Sequence, residues 1–179
     1  EDRLWIGLLK NLLCGVTTVC HHNPFYRELE YNVPLQVVKE YGFGHSLFRG
    51  DDPAVSYQNT PANDPWIIHL AEGVDHTAEE EFEQLERIDA LGRNTVIVHG
   101  VGMIQQQRKR LIECGGGLIW CPGSNNFLFG RTAEVKALSQ VGRLALGSDS
   151  RLTGEFDLLQ ELKVAAACRQ LSSQALFRA

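Results

Sequence analysis

Short apolar runs rich in β-branched residues recur along the chain. Between them lie stretches whose apolar residues fall three and four apart. The first kind predicts buried strands and the second helices that pack one face on a core. Residues 15–21, GVTTVCH, are bounded by Gly15 and Pro24 and predict a buried strand. Residues 34–48 hold one or two short strands interrupted by Gly42 and Gly44, and the turn-rich residues 51–65 lead into a strand at WIIHL. The clearest helix covers 77–91, where Thr77 and Glu80 form a capping-box pattern and Ala78, Phe82, Leu85, Ile88 and Leu91 form an apolar stripe. Gly92 is its expected stop, and the glutamates between the apolar positions are expected on a solvated face. Next come a strand at 95–99, a helix near 103–114 stopped by Gly115, Gly116 and Gly117, and a strand at LIWCP. A helix at 132–141 ends at Gly142, and the strand RLALG leads to Asp149. The last helix, 155–170, is expected to bury Leu158, Leu159, Leu162 and Ala166.

One strand and one helix alternate about every 25–30 residues, which predicts an α/β fold with parallel strands and crossover helices. An open doubly wound sheet and a (β/α) barrel both satisfy that alternation. Neither a GxGxxG nor a GxxxxGK[ST] follows any strand, so the usual nucleotide-binding signatures are missing. In parallel α/β folds the reactive groups gather at the C-terminal ends of the strands. His69, His99 and Asp149 stand at that end of three different strands and are expected to share one mouth. Imidazole nitrogen and carboxylate oxygen are good ligands for zinc or a similar divalent ion, which generates a hydroxide nucleophile near neutral pH. Glu72, three residues after His69, would face away in an ideal strand, but a backbone turn at Gly73 can return it to the mouth as a general acid. The plainer alternatives are a hydrogen-bonded core histidine at position 99 and a helix N-cap at Asp149. His21, His22 and His45, near strand ends, are as readily structural as pocket-lining, and His76 is expected to be exposed.

Composition narrows the function class. With 179 residues, 44% hydrophobic and 22% charged, the chain has the make-up of an ordinary globular protein. A net charge of -5 argues against a nucleic-acid partner, and no apolar run nears the roughly 20 residues that cross a bilayer. The N-terminal stretch opens on Glu1 and Asp2, unlike the basic start of a signal peptide, and without Met the sequence is expected to begin inside a longer product. Five cysteines form no CxxC pair, so reduced thiols in a cytoplasmic protein are expected, not a disulfide framework or zinc finger.

Four motifs in order, IIHLAEG, VIVHGVGM, LIWCPGSNNFLFGR and LALGSDS, resemble the amidohydrolase superfamily. The likeness is strongest to its cytosine-deaminase, chlorohydrolase and S-adenosylhomocysteine-deaminase branch, and runs from about Gly15 to about Ala165. It implies a single, partial TIM-like (β/α) barrel domain over 1–179, spanning about strands two to eight, without the first strand and the small β-sandwich. It also implies His69 as a metal ligand, Glu72 as the acid/base, and His99 as the group that orients water or substrate or binds the metal directly. Asp149 would be the last ligand and the general base. Ser124 and Asn125 would shape the pocket, and His45 and, more weakly, His22 would touch substrate. The cofactor implied is zinc or another divalent ion, iron or manganese included. The family's HxH pair occurs nowhere in the 179 residues, and the adjacent His21 and His22 cannot replace it because neighbours on a strand point to opposite faces. The implied reaction is metal-dependent hydrolysis of a carbon–nitrogen bond in a small heterocycle or amide, with deamination favoured. Hydrolytic dechlorination and a non-catalytic binding module are the alternatives. An incomplete barrel exposes strand edges, so a homo-oligomer or a partner chain covering them is also expected.

Overall fold

A computed structural model describes residues 2–20, 26–30, 33–50 and 52–179. Helix α1 (Asp2–Leu13) precedes two short strands, β1 (Thr18–Val19) and β2 (Gln36–Val37), which pair in parallel. The main sheet holds β3 (Gly42–Gly44), β4 (Trp66–Leu70), β5 (Thr95–His99), β6 (Gly117–Trp120) and β7 (Leu144–Leu146), all parallel and in chain order. Helices α2 (Pro53–Asn59), α3 (His76–Arg87) and α4 (Gln105–Cys114) connect β3 to β6 in turn. Helices α5 (Pro122–Phe129) and α6 (Lys136–Gln140) lie between β6 and β7, and α7 (Leu158–Ala167) and α8 (Ser173–Leu176) follow.

Strictly sequential strand order decides between the two architectures. A doubly wound sheet reverses its winding at a switch point. Here the five strands of the main sheet pair in unbroken chain order, as in part of a (β/α) barrel.

The period-2 alternation gives each strand two apolar faces. Trp66, Ile68, Leu70, Ile97, Leu118 and Trp120 meet Phe82, Leu85, Leu111 and Leu138 from the helices in the main core. The opposite parity, Phe43, Ile67, Val96, Val98 and Ile119, forms a second cluster on the barrel's inner side. Burial on both faces explains why these strands read as unbroken apolar runs.

The chain differs from the expected pattern in several places. The strand expected at 15–21 shrinks to β1, which is not buried: it pairs only with β2 and joins a small satellite cluster of Leu8, Leu29 and Leu35. His21 and His22 lie outside the described residues. Residues 51–65 hold a helix, because Asp52 accepts from Ala54 N at 2.9 Å and Pro53 takes the first helical position, where its missing N–H does no harm. Helix α3 is capped by Asp75, whose carboxylate accepts from Ala78 N, not by Thr77. Helix α5 was hidden in CPGSNNFLFG: Pro122 opens it, and Gly130, at φ +66°, ends it in the left-handed conformation glycine favours. In α7 the enclosed residues are Glu161 and Ala165, while Leu159 is 45% exposed. Among the described residues, no helix is long and apolar enough to cross a membrane.

Candidate active site

His69 lies on the inner parity of β4, paired with Val98 of β5. Its Nδ1 sits 2.8 Å from the carbonyl oxygen of His45. A carbonyl only accepts, so Nδ1 carries the proton and the neutral ring's lone pair is on Nε2. A backbone carbonyl holding one ring nitrogen in this way is the usual means of orienting a ligand histidine. The rings of Phe43 (5.9 Å), His45 (5.3 Å) and His99 (5.5 Å, interplanar angle 30°) surround that of His69.

His99 shares the parity of Ile97, which faces the outer core, and is paired with Leu70. Two things turn its side chain to the mouth instead. Its own φ is +74°, and Gly100 follows at +61°. A non-glycine residue in this region stores of order 1–3 kcal/mol of strain, which the surrounding contacts must offset. Among them, His99 Nδ1 donates to Asn125 Oδ1 at 2.9 Å, and Asn125 Nδ2 donates to Thr132 Oγ1 at 3.1 Å. Thr132 Oγ1 also accepts from the indole of Trp120 at 2.6 Å, so both donors are spoken for and the amide orientation is set. His99 is 1% exposed and therefore is a hydrogen-bonded buried histidine, but one whose Nε2 faces a carboxylate: Glu72 Oε1 lies 3.6 Å away.

Glu72 reaches that position because Ala71, at φ +52°, reverses the chain just past β4. The turn is thus one residue before Glu72 and not at Gly73. Glu81 of α3 supports it, its Oε2 accepting from Ala71 N at 2.5 Å. The glutamates of α3 are accordingly not all on a solvated face. Burial pushes the Glu81 carboxyl up, and the charges of Glu72 and Asp75 add to this, against the pull of the Ala71 N–H. A carboxyl whose value is raised in the folded state binds its proton more tightly there than in the unfolded chain. Its contribution to stability is full below about pH 4.3 and is lost as pH rises through the raised value. Glu81→Gln keeps the acceptor to Ala71 and removes the titration. Thermal unfolding of the variant between pH 4.5 and 8 is expected to fall less steeply with pH than that of the parent chain; parallel curves would refute the assignment.

Asp149 follows β7 at φ +50°. Its Oδ2 accepts from Ser124 Oγ and, at 3.2 Å, from Thr153 Oγ1. Partial burial pushes its carboxyl up, but hydrogen bonds from Ser124, Ser150 N–H and Thr153, with the charge of His99, hold it below the ordinary aspartate value. It is not a helix cap: α7 is capped by Asp157, which accepts from Gln160 N at 3.0 Å.

His69 and Asp149 line one cavity of about 170 Å³, walled by Phe43, Ile67, Val98 and Cys121. Burial pushes the Cys121 thiol well up, so it belongs to the apolar wall and not to the nucleophiles. Larger depressions near Tyr41 and near Gln170 contain none of the residues expected at the site. Seven of the eight expected residues, His45, His69, Glu72, His99, Ser124, Asn125 and Asp149, thus form one connected group; His22 lies outside the described residues. Thr132, Thr153 and Glu81 join it without a signal in the sequence, since each acts through hydrogen bonds to a neighbour's backbone or side chain.

The fit to a metal is partial. Protein zinc sites use three or four ligands, and among the described residues no three histidine, cysteine, aspartate or glutamate side chains are placed to hold an ion. His69 and Asp149 reach the same cavity and supply two donors of the right chemistry.

No protein-family profile matches the chain. It is similar to the 5-methylthioadenosine/S-adenosylhomocysteine deaminase of Haloquadratum walsbyi, 30% identical over 95 residues that make up 52% of this chain and 21% of that protein. The protein of the same name from Halobacterium salinarum is 29% identical over 104 residues, 57% of this chain and 24% of its own. The chain therefore spans about a quarter or less of these two curated relatives. Among solved structures, a zinc-bound adenosine deaminase from Xanthomonas campestris superposes with a TM-score of 0.72 at 15% identity, covering 98% of this chain and 53% of that one. A 5-methylcytosine deaminase from Klebsiella pneumoniae, bound to 5-fluorocytosine, gives 0.64 at 16% identity, covering 96% and 58%. By sequence and by fold the resemblance is to amidohydrolase-superfamily deaminases, and the chain spans a little over half the length of these two structures, as an incomplete barrel does.

Proposed function

We propose that this chain is the part of an amidohydrolase-superfamily deaminase that carries the proton-transfer residues, and that the full-length protein hydrolyses an amino group from a small nitrogen heterocycle. One observation carries the reading. A left-handed turn at Ala71 delivers the Glu72 carboxylate to His99 Nε2 at the rim of the strand ends, beside the cavity shared by His69 and Asp149. The relatives' names make an adenine-containing thioether nucleoside the first substrate class to try.

In this reading His69 and Asp149 would be two of the ligands of zinc or a similar divalent ion. Such an ion, when bound, lowers the pKa of a coordinated water to near 7. Asp149, held ionised by Ser124 and Thr153, accepts the proton from the attacking water. Glu72 in its protonated form would give its proton to the ring nitrogen next to the carbon under attack. Asp149 would hand the water's proton to the amino group, which leaves as ammonia, and Glu72 would regain a proton from the new hydroxyl as it becomes the carbonyl. His99, whose Nδ1–H is engaged by Asn125, would meet the developing charge through Nε2 when that nitrogen is protonated. The inner apolar wall of Phe43, Ile67 and Val98 receives the flat ring. Five unpaired cysteines suit a reducing, cytoplasmic setting.

The test is ammonia release by the zinc-supplemented full-length protein, offered 5′-methylthioadenosine, S-adenosylhomocysteine, adenosine and cytosine in parallel. Ammonia equal to substrate lost is expected from at least one of them. A folded, zinc-containing protein that releases none would remove the deaminase reading, and a folded protein that takes up no zinc would favour a non-catalytic binding module.

A further inference from the structure

Glu161 is the one fully buried carboxylate among the described residues, at 0% exposure in the first turn of α7. Its Oε2 accepts from Gly123 N at 3.0 Å, and its Oε1 accepts from Glu155 N at 2.9 Å. These two donors belong to different segments. Gly123 is the second residue of α5, and because Pro122 before it has no N–H, its amide is the first unpaired donor of that helix. A carboxylate at this end of a helix is also favoured by the helix dipole. Glu155 lies in the loop that follows Asp149. The next two residues of α5 are Ser124, which holds Asp149, and Asn125, which holds His99. The position of Gly123 is tight: an added Cβ would stand 2.5 Å from Glu161 Oε1 and 3.0 Å from Glu155 Cγ.

We propose that Glu161 is a positioning residue that ties the start of α5 to the loop after Asp149 and so sets the bonds Ser124–Asp149 and Asn125–His99. It touches neither substrate nor reacting atoms. One carboxylate fixes, through two backbone amides, the helix turn that supplies both hydrogen bonds and the loop that receives one of them. The functional meaning of this clamp rests on the deaminase reading, but the clamp itself is a property of this chain and can be measured without turnover.

The experiment follows the His99 Nδ1–H proton by NMR in the ¹⁵N-histidine-labelled 179-residue chain, with exposed His76 as internal reference. Two variants attack the clamp from its two sides. Glu161→Gln leaves an acceptor for one amide and turns an NH₂ toward the other; Gly123→Ala keeps the carboxylate and displaces it. Leu138→Ala, on the buried face of α6 in the outer core, serves as a control for general destabilisation. Exchange of the His99 Nδ1–H is expected to quicken about tenfold in both clamp variants and not in the control. If the clamp variants lower the melting temperature but leave His99 exchange equal to that of Leu138→Ala, Glu161 is only a packing residue and the proposal fails. Should Glu161→Gln not fold, Gly123→Ala decides alone by the same two outcomes. Faster His99 exchange together with no ammonia release by the full-length protein would uphold the clamp and remove the deaminase reading.

Discussion

Replacing Glu72 by glutamine in the full-length protein is expected to lower kcat for ammonia release by about 10²–10⁴-fold, the usual contribution of a positioned proton donor. Glutamine has the same shape and still accepts a hydrogen bond, but it has no proton to pass on. The side chain is 36% exposed and its partner His99 is held independently by Asn125, so the substitution leaves the packing alone. A surface change of this kind shifts stability by no more than about 0.5 kcal/mol, and the melting temperature should hardly move. KM is expected to stay within a few-fold, since the ring is received by the apolar wall and not by Glu72. Unchanged turnover on every accepted substrate would show that another group protonates the ring. A loss of turnover matched by a large fall in melting temperature would mean that the carboxylate supports the Ala71 turn, the task assigned above to Glu81.

How the site came to be readable in the sequence differs from residue to residue. His69 is legible because parity suffices: it alternates correctly with Ile67 on the inner face of β4. His99 is legible only as a histidine that ends an apolar run. Strand parity alone would send it outward with Ile97, and the left-handed backbone that diverts it leaves no trace but the following glycine. Glu72 depends on a turn, which lies two residues earlier than expected, at an alanine that nothing in the sequence marks. The conformation is imposed by tertiary contacts, including the bond from Ala71 N to Glu81, ten residues later.

The largest misreading concerns α7. Of the stripe Leu158, Leu159, Leu162 and Ala166, Leu158 and Leu162 are half-buried and Leu162 packs on the main core, but Leu159 and Ala166 are exposed, and the fully enclosed residues of that face are Glu161 and Ala165. A helix normally turns its most apolar side inward. Here α7 lies over the start of α5, and an enclosed unpaired amide costs about 1–3 kcal/mol, so an acceptor is worth more at that position than another methyl group. That demand comes from a helix the periodicity did not reveal. Alternation alone therefore gave α/β, the resemblance of the four motifs chose the barrel and the strand order agrees with it, whereas the support of the site needed contacts between segments 38 residues apart.

Trp66→Ala is expected to destabilise the chain by about 3–5 kcal/mol. The indole is fully buried at the first position of β4, where its Nε1 donates to Ser56 Oγ at 3.0 Å and its face meets the edge of Tyr57 at 5.2 Å. Its cross-strand partner is Gly42, and a Cβ there would come within 2.7 Å of the indole; Gly44 leaves the ring 3.1 Å. Two residues of β3 thus lack side chains because the tryptophan occupies their space. Truncation leaves a void that Gly42 and Gly44 have no side chains to fill, so the site collapses only in part. For a chain of this size, the loss corresponds to a fall in melting temperature of roughly 6–20 °C, measured by circular dichroism. Trp66→Phe fills part of the void and should lose less than half as much. A loss below about 1 kcal/mol for the alanine variant would contradict the packing of β3 against β4 and, with it, the placement of His45 beside His69.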